Sequence, residues 1–208
     1  TLRQLNLEQD TLVFFLSDNG GPTAQTTSSN GPLRGFKGQT YEGGIRIPFM
    51  MQWAGRIPGG QVIHDPAIAL DIHPTAVAAA GGRVSAGWKL DGVNLLPRVT
   101  GSAGQPHDTL YWRFNQQRAI RQGDWKLVLG AGSSAWELYN LADDIGEQNN
   151  LAATAPDKAR ELQTAWETWD AQLMDPQWQR QGGTGRGGNT EVEKRFKQYD
   201  KNGDGRLT

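Results

Sequence analysis

Residues 11–46 constrain the fold of this chain more than any other stretch of its sequence. The segment begins with the apolar run Leu12–Leu16, whose β-branched and aromatic content and short length predict a buried strand rather than a helix. The run ends in the sequence SDNGG, so Asp18 and Asn19 stand where the strand reaches the surface. In open α/β sheets this carboxyl end of a strand is where ligands bind.

A long loop follows the strand and carries the cations Arg34 and Lys37. Residues 22–44 contain too much Gly, Pro, Ser and Thr for regular structure, and a loop of this length in a compact domain is usually functional. An acid, an amide and two cations that converge on one strand end predict a site for a metal ion and an anion. After the loop, residues 45–53 read as a second strand, in which Pro48 predicts an edge or an interruption.

Three sequence blocks in this segment resemble the sulfatase family. They are SDNGG at residues 17–21, NGPLRGFKG at residues 30–38 and YEGGIRIP at residues 41–48. The resemblance continues to about residue 174 through the blocks LDIHPT and LDGVNLLP. It implies an α/β fold, with the C-terminal part of an alkaline-phosphatase-like α/β core and a small antiparallel β-sheet and helix subdomain.

The resemblance also implies the hydrolysis of sulfate monoesters. Asp18 and Asn19 would then bind Ca²⁺ or Mg²⁺, which prefer oxygen ligands, and Lys37 would contact the sulfate. Taken alone, Asp-Asn-Gly is ordinary turn chemistry and most loop lysines are solvated, but the surrounding blocks favour the functional interpretation. Arg34 either binds the anion or pairs with a carboxylate and holds the loop, and we favour the second role.

The family nucleophile is a formylglycine made from Cys or Ser in a C/S-x-P-x-R motif, and these 208 residues contain no such motif and no cysteine. The family's paired aspartates and histidine pair are also absent. Both ends of the chain read as cuts, so we expect the nucleophile and further metal ligands upstream and no turnover by this piece alone. A phosphate or phosphonate monoester hydrolase of the same superfamily remains an alternative, as does a calcium-binding or anchoring protein.

Composition and patterning divide the chain into four parts. Alternation over residues 109–140, with a turn signal at Gly123, predicts a small antiparallel sheet of four strands. A helix from Ala155 to about Met174 would bury an apolar stripe that includes Trp166 and Leu173. The predicted parts are an α/β core, a sheet-and-helix subdomain, a Gly-rich linker and a partial EF-hand, at residues 1–104, 105–175, 176–190 and 191–208.

The C-terminal segment carries the first half of a calcium-binding loop. Asp200, Asn202 and Asp204 fit the pattern D-x-[DN]-x-[DN]-G of an EF-hand. The sequence stops at loop position nine, before the glutamate that position twelve requires. We interpret the segment as a truncated EF-hand, or the related dockerin-like repeat, that would bind Ca²⁺ when complete.

Charge and hydropathy exclude several classes of partner. The net charge of −1 predicts no general attraction to nucleic acid, and no apolar run is long enough for a membrane span. The expected partner is a sulfated small molecule or carbohydrate, while the oligomeric state is left unpredicted. The first residues lack the pattern of a signal peptide, and a periplasmic or secreted location is expected from the resemblance and the calcium-binding tail.

Overall fold

The computed structural model describes residues 1–85 and 87–174. Asp200, Asn202 and Asp204 of the predicted EF-hand lie outside the described residues. Within them, no helix is long and apolar enough to cross a membrane. In chain order the elements are β1 (Val13–Leu16), α1 (Glu42–Ile45), β2 (Phe49–Gln52), α2 (Ile72–Ala79), α3 (Leu96–Val99), β3 (Thr109–Phe114), β4 (Gln117–Gln122), β5 (Trp125–Leu129), β6 (Glu137–Asn140) and α4 (Pro156–Asp170), with 3₁₀ turns at Glu8–Asp10 and Ala69–Asp71.

β1 and β2 form a two-stranded antiparallel sheet in which Leu16 lies opposite Phe49. β2 begins at Phe49, later than predicted, because residue 45 ends the helical turn α1 and residues 46–48 lie between the two elements. Residues of β1 alternate between exposed and half-buried, and Phe15 is 65% exposed. The predicted strand is therefore confirmed, whereas within the described residues its side chains are not buried as predicted.

The predicted sheet of four antiparallel strands is confirmed, with the order β3-β4-β5-β6. The turn between β4 and β5 lies at Gly123, whose φ of 58° is readily reached only by glycine and a few polar residues. This turn pairs Gln122 with Trp125 and fixes the register of the hairpin.

Alternation along the strands gives this sheet two buried faces. One face packs against Leu162 and Trp166 of α4, as the sequence predicts. Its sheet residues are Ile120, Leu127 and Leu138. The opposite face packs against Tyr41, which precedes α1, and its sheet residues are Ala119, Val128 and Tyr139. The sheet is therefore held between α4 and the loop that carries Lys37. α4 ends at Asp170, short of the predicted Met174, and leaves Leu173 40% exposed.

Asp71 connects three segments between the two sheets. Its Oδ2 accepts a hydrogen bond of 2.8 Å from Ile68 N, and its Oδ1 accepts one of 2.8 Å from Val93 N. His107 Nε2 lies 2.9 Å from Oδ1. Asp71 is fully buried and makes no side-chain hydrogen bond that caps α2, so its role is to fix chain segments.

Candidate anion and metal site

Asp18, Asn19 and Lys37 line one cleft of about 1370 Å³. The first two follow the carboxyl end of β1, and Lys37 comes from the loop that precedes α1. The side chain of Lys37 is exposed and makes no hydrogen bond or ion pair within the described residues. The structure thus places on one cleft the acid, the amide and the cation that the sequence singles out.

Glycines let three backbone segments approach closely behind these side chains. Gly20 N donates to Gly44 O at 3.0 Å, and Gly43 N donates to Arg34 O at 2.6 Å. A Cβ at Gly20 would collide with the carbonyl of Gly43, and one at Gly44 would collide with the carbonyl of Gln39. The two glycine pairs therefore permit close packing of the strand end against the turn α1.

Asn30 joins the strand end to the loop. Its Nδ2 donates to Gly21 O at 2.9 Å and to Gly35 O at 3.1 Å, while its Oδ1 accepts from Gly21 N at 2.9 Å. Lys37 N also donates to Gly21 O, at 3.3 Å. The backbone of Lys37 is thus connected directly to the segment that follows Asp18 and Asn19.

Arg34 is engaged with the four-stranded sheet. Its Nη1 donates to Glu137 Oε2 at 3.0 Å, to Tyr139 OH at 2.7 Å and to the carbonyl of Glu147 at 3.1 Å. Its guanidinium carbon lies 3.9 Å from the centre of the Tyr41 ring. Burial and the charge of Glu137 together raise the pKa of Tyr41 to about 12, so this hydroxyl is neutral and donates to Glu137 Oε2 at 3.0 Å. These contacts correspond to a residue that holds the loop.

A buried ion cluster fixes the turn α1 to the same sheet. Lys126 Nζ lies 2.8 Å from Oε1 of Glu42 and 2.8 Å from Oε1 of Glu147. Lys126 Nζ donates a hydrogen bond to Glu42 Oε1, and its contact with Glu147 Oε1 is an ion pair. Glu147 Oε2 instead accepts from Glu42 N at 2.7 Å. Arg46 Nη1 lies 3.2 Å from Glu42 Oε2 at the edge of the cluster.

The pKa values of the two carboxylates in this cluster shift in opposite directions. Burial would raise the pKa of Glu42, but the charges of Lys126 and the nearby arginines outweigh burial and lower it. For Glu147 burial dominates, and its pKa is raised despite the ion pair with Lys126. The cluster holds more carboxylate charge than its one fully buried cation balances, so Lys126 is essential to its electrostatics.

Gln117 of β4 holds the loop immediately beyond Lys37. Its Nε2 donates to the carbonyl of Gly38 at 2.7 Å, and its Oε1 accepts from Thr40 N at 3.2 Å. Gln117 and Thr40 are both buried. Gln117 and Lys126 were not singled out from the sequence. The available signal was their phase, because each lies two residues from a buried apolar partner, Ala119 or Val128, on the same face of the sheet.

The donor set at the strand end fits a hard divalent cation. The carboxylate of Asp18 has no hydrogen bond or ion pair within the described residues. Asn19 Nδ2 donates to Gly20 O at 3.0 Å, which leaves the amide oxygen as a candidate ligand. Ca²⁺ takes six to eight oxygen ligands, so these two residues alone could supply only part of a coordination shell. Across the described residues, this strand end included, no group of three or more His, Asp or Glu side chains could hold a metal.

The α/β protein described so far thus has a candidate site for a metal ion and an anion. The site consists of a strand end with candidate oxygen ligands beside a loop with an exposed lysine. The family model described as Sulfatase matches residues 1–82. The chain is 31% identical over 154 residues to N-acetylgalactosamine-6-sulfatase of Canis lupus familiaris, covering 73% of this chain and 30% of the relative. It is 32% identical over 186 residues to arylsulfatase A of Bos taurus, covering 76% and 36% of the two chains.

The crystal structure of Ps i-CgsB superposes with a TM-score of 0.78 at 29% identity, over 92% of this chain and 42% of that one. The chain belongs to the sulfatase family, whose members hydrolyse sulfuric esters, and it has their α/β, alkaline-phosphatase-like fold. It spans about a third of the length of the curated relatives it matches.

Proposed function

We propose that the polypeptide to which these residues belong hydrolyses sulfate monoesters at the cleft that contains Asp18, Asn19 and Lys37. The observation that carries this proposal is the placement of these three side chains on one cleft, in a chain of the sulfatase family. The cleft volume of about 1370 Å³ exceeds the usual range for small-ligand pockets, roughly 300–1,000 Å³, which leaves room for more metal ligands beside the substrate.

Each of the three residues has a distinct role in the proposed reaction. The ammonium group of Lys37 neutralises the sulfate and stabilises the negative charge that develops on the leaving oxygen. Asp18 and Asn19 hold Ca²⁺ or Mg²⁺ through a carboxylate and an amide oxygen. When bound, such a cation polarises the oxygens of the sulfate. Arg34 does not contact the substrate and keeps the loop against the sheet.

The nucleophile of the proposed reaction is a formylglycine outside these 208 residues, because the C/S-x-P-x-R motif does not occur in them. Sulfated carbohydrates are the substrates we propose first. The solved relative was crystallised with k-i-k-neocarrahexaose, and a curated relative is named N-acetylgalactosamine-6-sulfatase. We place the protein in the periplasm or outside the cell, and we propose that Asp200, Asn202 and Asp204 belong to a calcium-binding EF-hand.

The test compares ester hydrolysis by the complete polypeptide with hydrolysis by the 208-residue chain alone. We expect the complete polypeptide to release sulfate from p-nitrophenyl sulfate and from sulfated oligosaccharides, and the shorter chain to release none. If the complete polypeptide prefers p-nitrophenyl phosphate or a phosphonate ester, the proposed substrate class changes from sulfate esters to phosphate or phosphonate esters. Sulfate release by the 208-residue chain would show that no outside nucleophile is needed.

Asp18→Asn in the complete polypeptide is expected to weaken Ca²⁺ or Mg²⁺ binding, because it removes the carboxylate that follows β1 at the cleft. Loss of an outer-shell partner costs 10–100-fold in metal affinity, so loss of a direct ligand is expected to cost at least roughly 100-fold. Isothermal titration calorimetry measures the affinity, and Asp91→Asn at an exposed position is the matched control. Equal affinities for both variants would remove Asp18 from the metal site.

A further inference from the structure

We propose that Gln117 is a positioning residue that sets where Lys37 stands in the cleft. The proposal rests on the function proposed for Lys37, although Gln117 itself belongs to a different part of the fold. Gln117 lies on β4, the second strand of the small sheet, and touches the loop at residues 38 and 40. No sequence motif connects the two residues, which are brought together by the packing of the sheet against the loop.

Both polar atoms of the Gln117 side-chain amide form hydrogen bonds to the loop backbone. Its Nε2 donates to Gly38 O at 2.7 Å and its Oε1 accepts from Thr40 N at 3.2 Å. Only one orientation of the amide satisfies both partners, since a carbonyl must accept and an N–H must donate. Gln117 is 4% exposed, so water cannot readily replace either hydrogen bond. The side chain therefore fixes the loop backbone through both of its polar atoms.

The bonded carbonyl belongs to the residue that directly follows Lys37. Gly38 has a φ of 88°, and a Cβ there would meet nothing within 4 Å, so side-chain packing does not fix this residue. A glycine has access to more backbone conformations than other residues, and hydrogen bonds must select one of them. Gln117 supplies that selection on the C-terminal side of Lys37, while Lys37 N bonded to Gly21 O supplies it on the N-terminal side.

The side chain of Lys37 cannot position itself. It is exposed and has no hydrogen bond or ion pair within the described residues, so its location follows from its backbone. Gln117 is in turn held by the β-ladder, in which it lies opposite Phe114. Through these contacts, the position of the ammonium group depends on a rigid sheet instead of on a glycine-rich loop alone. A displacement of about 1 Å in an active site can cost 100-fold in rate, which makes such a reference consequential.

The experiment combines Gln117→Met and Lys37→Ala in the complete polypeptide, separately and together. Methionine keeps the length and shape of the side chain and removes both hydrogen bonds. We expect Gln117→Met to lower kcat/KM for p-nitrophenyl sulfate about 10- to 100-fold. In the Lys37→Ala background it should have little further effect, because the group that it positions is gone. Equal losses in both backgrounds would overturn the proposal.

Gln117→Glu adds a readout that a purely structural role would not produce. A protonated glutamic acid can donate to Gly38 O and accept from Thr40 N as glutamine does, whereas the carboxylate would repel the carbonyl. Relative to wild type, activity of this variant should therefore rise as the pH falls through the pKa of the new carboxyl group. A constant ratio across the pH range would contradict the assignment. Gln122→Met, on the same strand and remote from the loop, is the matched control.

Hydrogen exchange separates this proposal from the proposed function. In Gln117→Met, and not in Gln122→Met, peptides that cover residues 36–41 should exchange faster, because Thr40 N loses its acceptor. Faster exchange in Gln117→Met, with no sulfatase activity in the wild type, would refute the proposed function. It would still support the clamp, by which we mean the two hydrogen bonds from Gln117 that fix the loop at Gly38 and Thr40. Unchanged exchange with an active wild type would refute the clamp and leave the function intact.

Discussion

Replacing Lys126 by methionine is expected to lower the free energy of unfolding by roughly 3–5 kcal/mol, the cost of breaking a buried ion pair from one side. Lys126 is fully buried and lies 2.8 Å from carboxylate oxygens of both Glu42 and Glu147. Without the ammonium group, these two acids lose the only fully buried cation of the cluster. Urea denaturation of the complete polypeptide measures the change, and Lys158→Met, which removes a partly exposed pair on α4, is the control.

The loss in Lys126→Met should depend on pH in a defined direction. In wild type the pKa of Glu42 is lowered, so its stabilising contribution is present at neutral pH and is lost as the pH falls through that pKa. In the variant the buried acids would have raised pKa values, so stability should fall as the pH rises. The gap between the two proteins should therefore narrow toward pH 4, near the ordinary carboxyl range. A gap that is constant with pH would show that packing, rather than charge, accounts for the loss.

Lys37→Ala in the complete polypeptide is expected to lower kcat by roughly 10²- to 10³-fold, the effect of removing one oriented group that stabilises transition-state charge. Its side chain lines the cleft and makes no internal hydrogen bond within the described residues, so truncation should barely change stability. Initial rates with p-nitrophenyl sulfate give kcat and KM, and the thermal midpoint reports folding. Lys89→Ala, at an exposed position that does not line the cleft, is the matched control.

Two results would change the role assigned to Lys37. An unchanged kcat/KM would show that the ammonium group does not interact with the reacting sulfate. An increase in KM with kcat unaffected would show that it binds the anion equally in the ground state and the transition state. Recovery of activity in Lys37→Arg would show that charge suffices, whereas continued loss would show that the position of the charge matters as well.

Local signals in the sequence predicted the parts of the fold that short-range chemistry determines. The hairpin at Gly123 is set by a residue that tolerates φ of 58°, and the apolar stripe of α4 is set by helical spacing. Residues 43–44 were predicted as the end of the long loop, although the structure uses this glycine pair for close backbone approach within α1. Glycine content alone does not distinguish a turn from such an approach, because both require the absence of a Cβ.

The residues that hold the candidate site in place could not be predicted from the sequence. Gln117 and Lys126 lie 77 and 84 residues from their partners Thr40 and Glu42, so no local pattern links them. By contrast, Asp18 and Asn19 adjoin a recognisable strand end and could be singled out directly. The residues proposed to perform chemistry carry local signatures here, whereas the residues that hold them are recognised by position on a sheet face. Asp200, Asn202 and Asp204 stay predictions.

The distance along the chain between the loop and its supports also orders the events of biosynthesis. Gly38 and Gln117 are 79 positions apart, and Arg34 reaches the carbonyl of Glu147 across 113 positions. During translation the loop therefore leaves the ribosome well before the strands that fix it. The loop can gain these contacts only after Gln117 and Glu147 have been synthesised, and the contacts must offset the entropy of bringing distant segments together. A truncated product that stops before Gln117 would lack this clamp on Lys37, so an abortive chain would not carry the organised site.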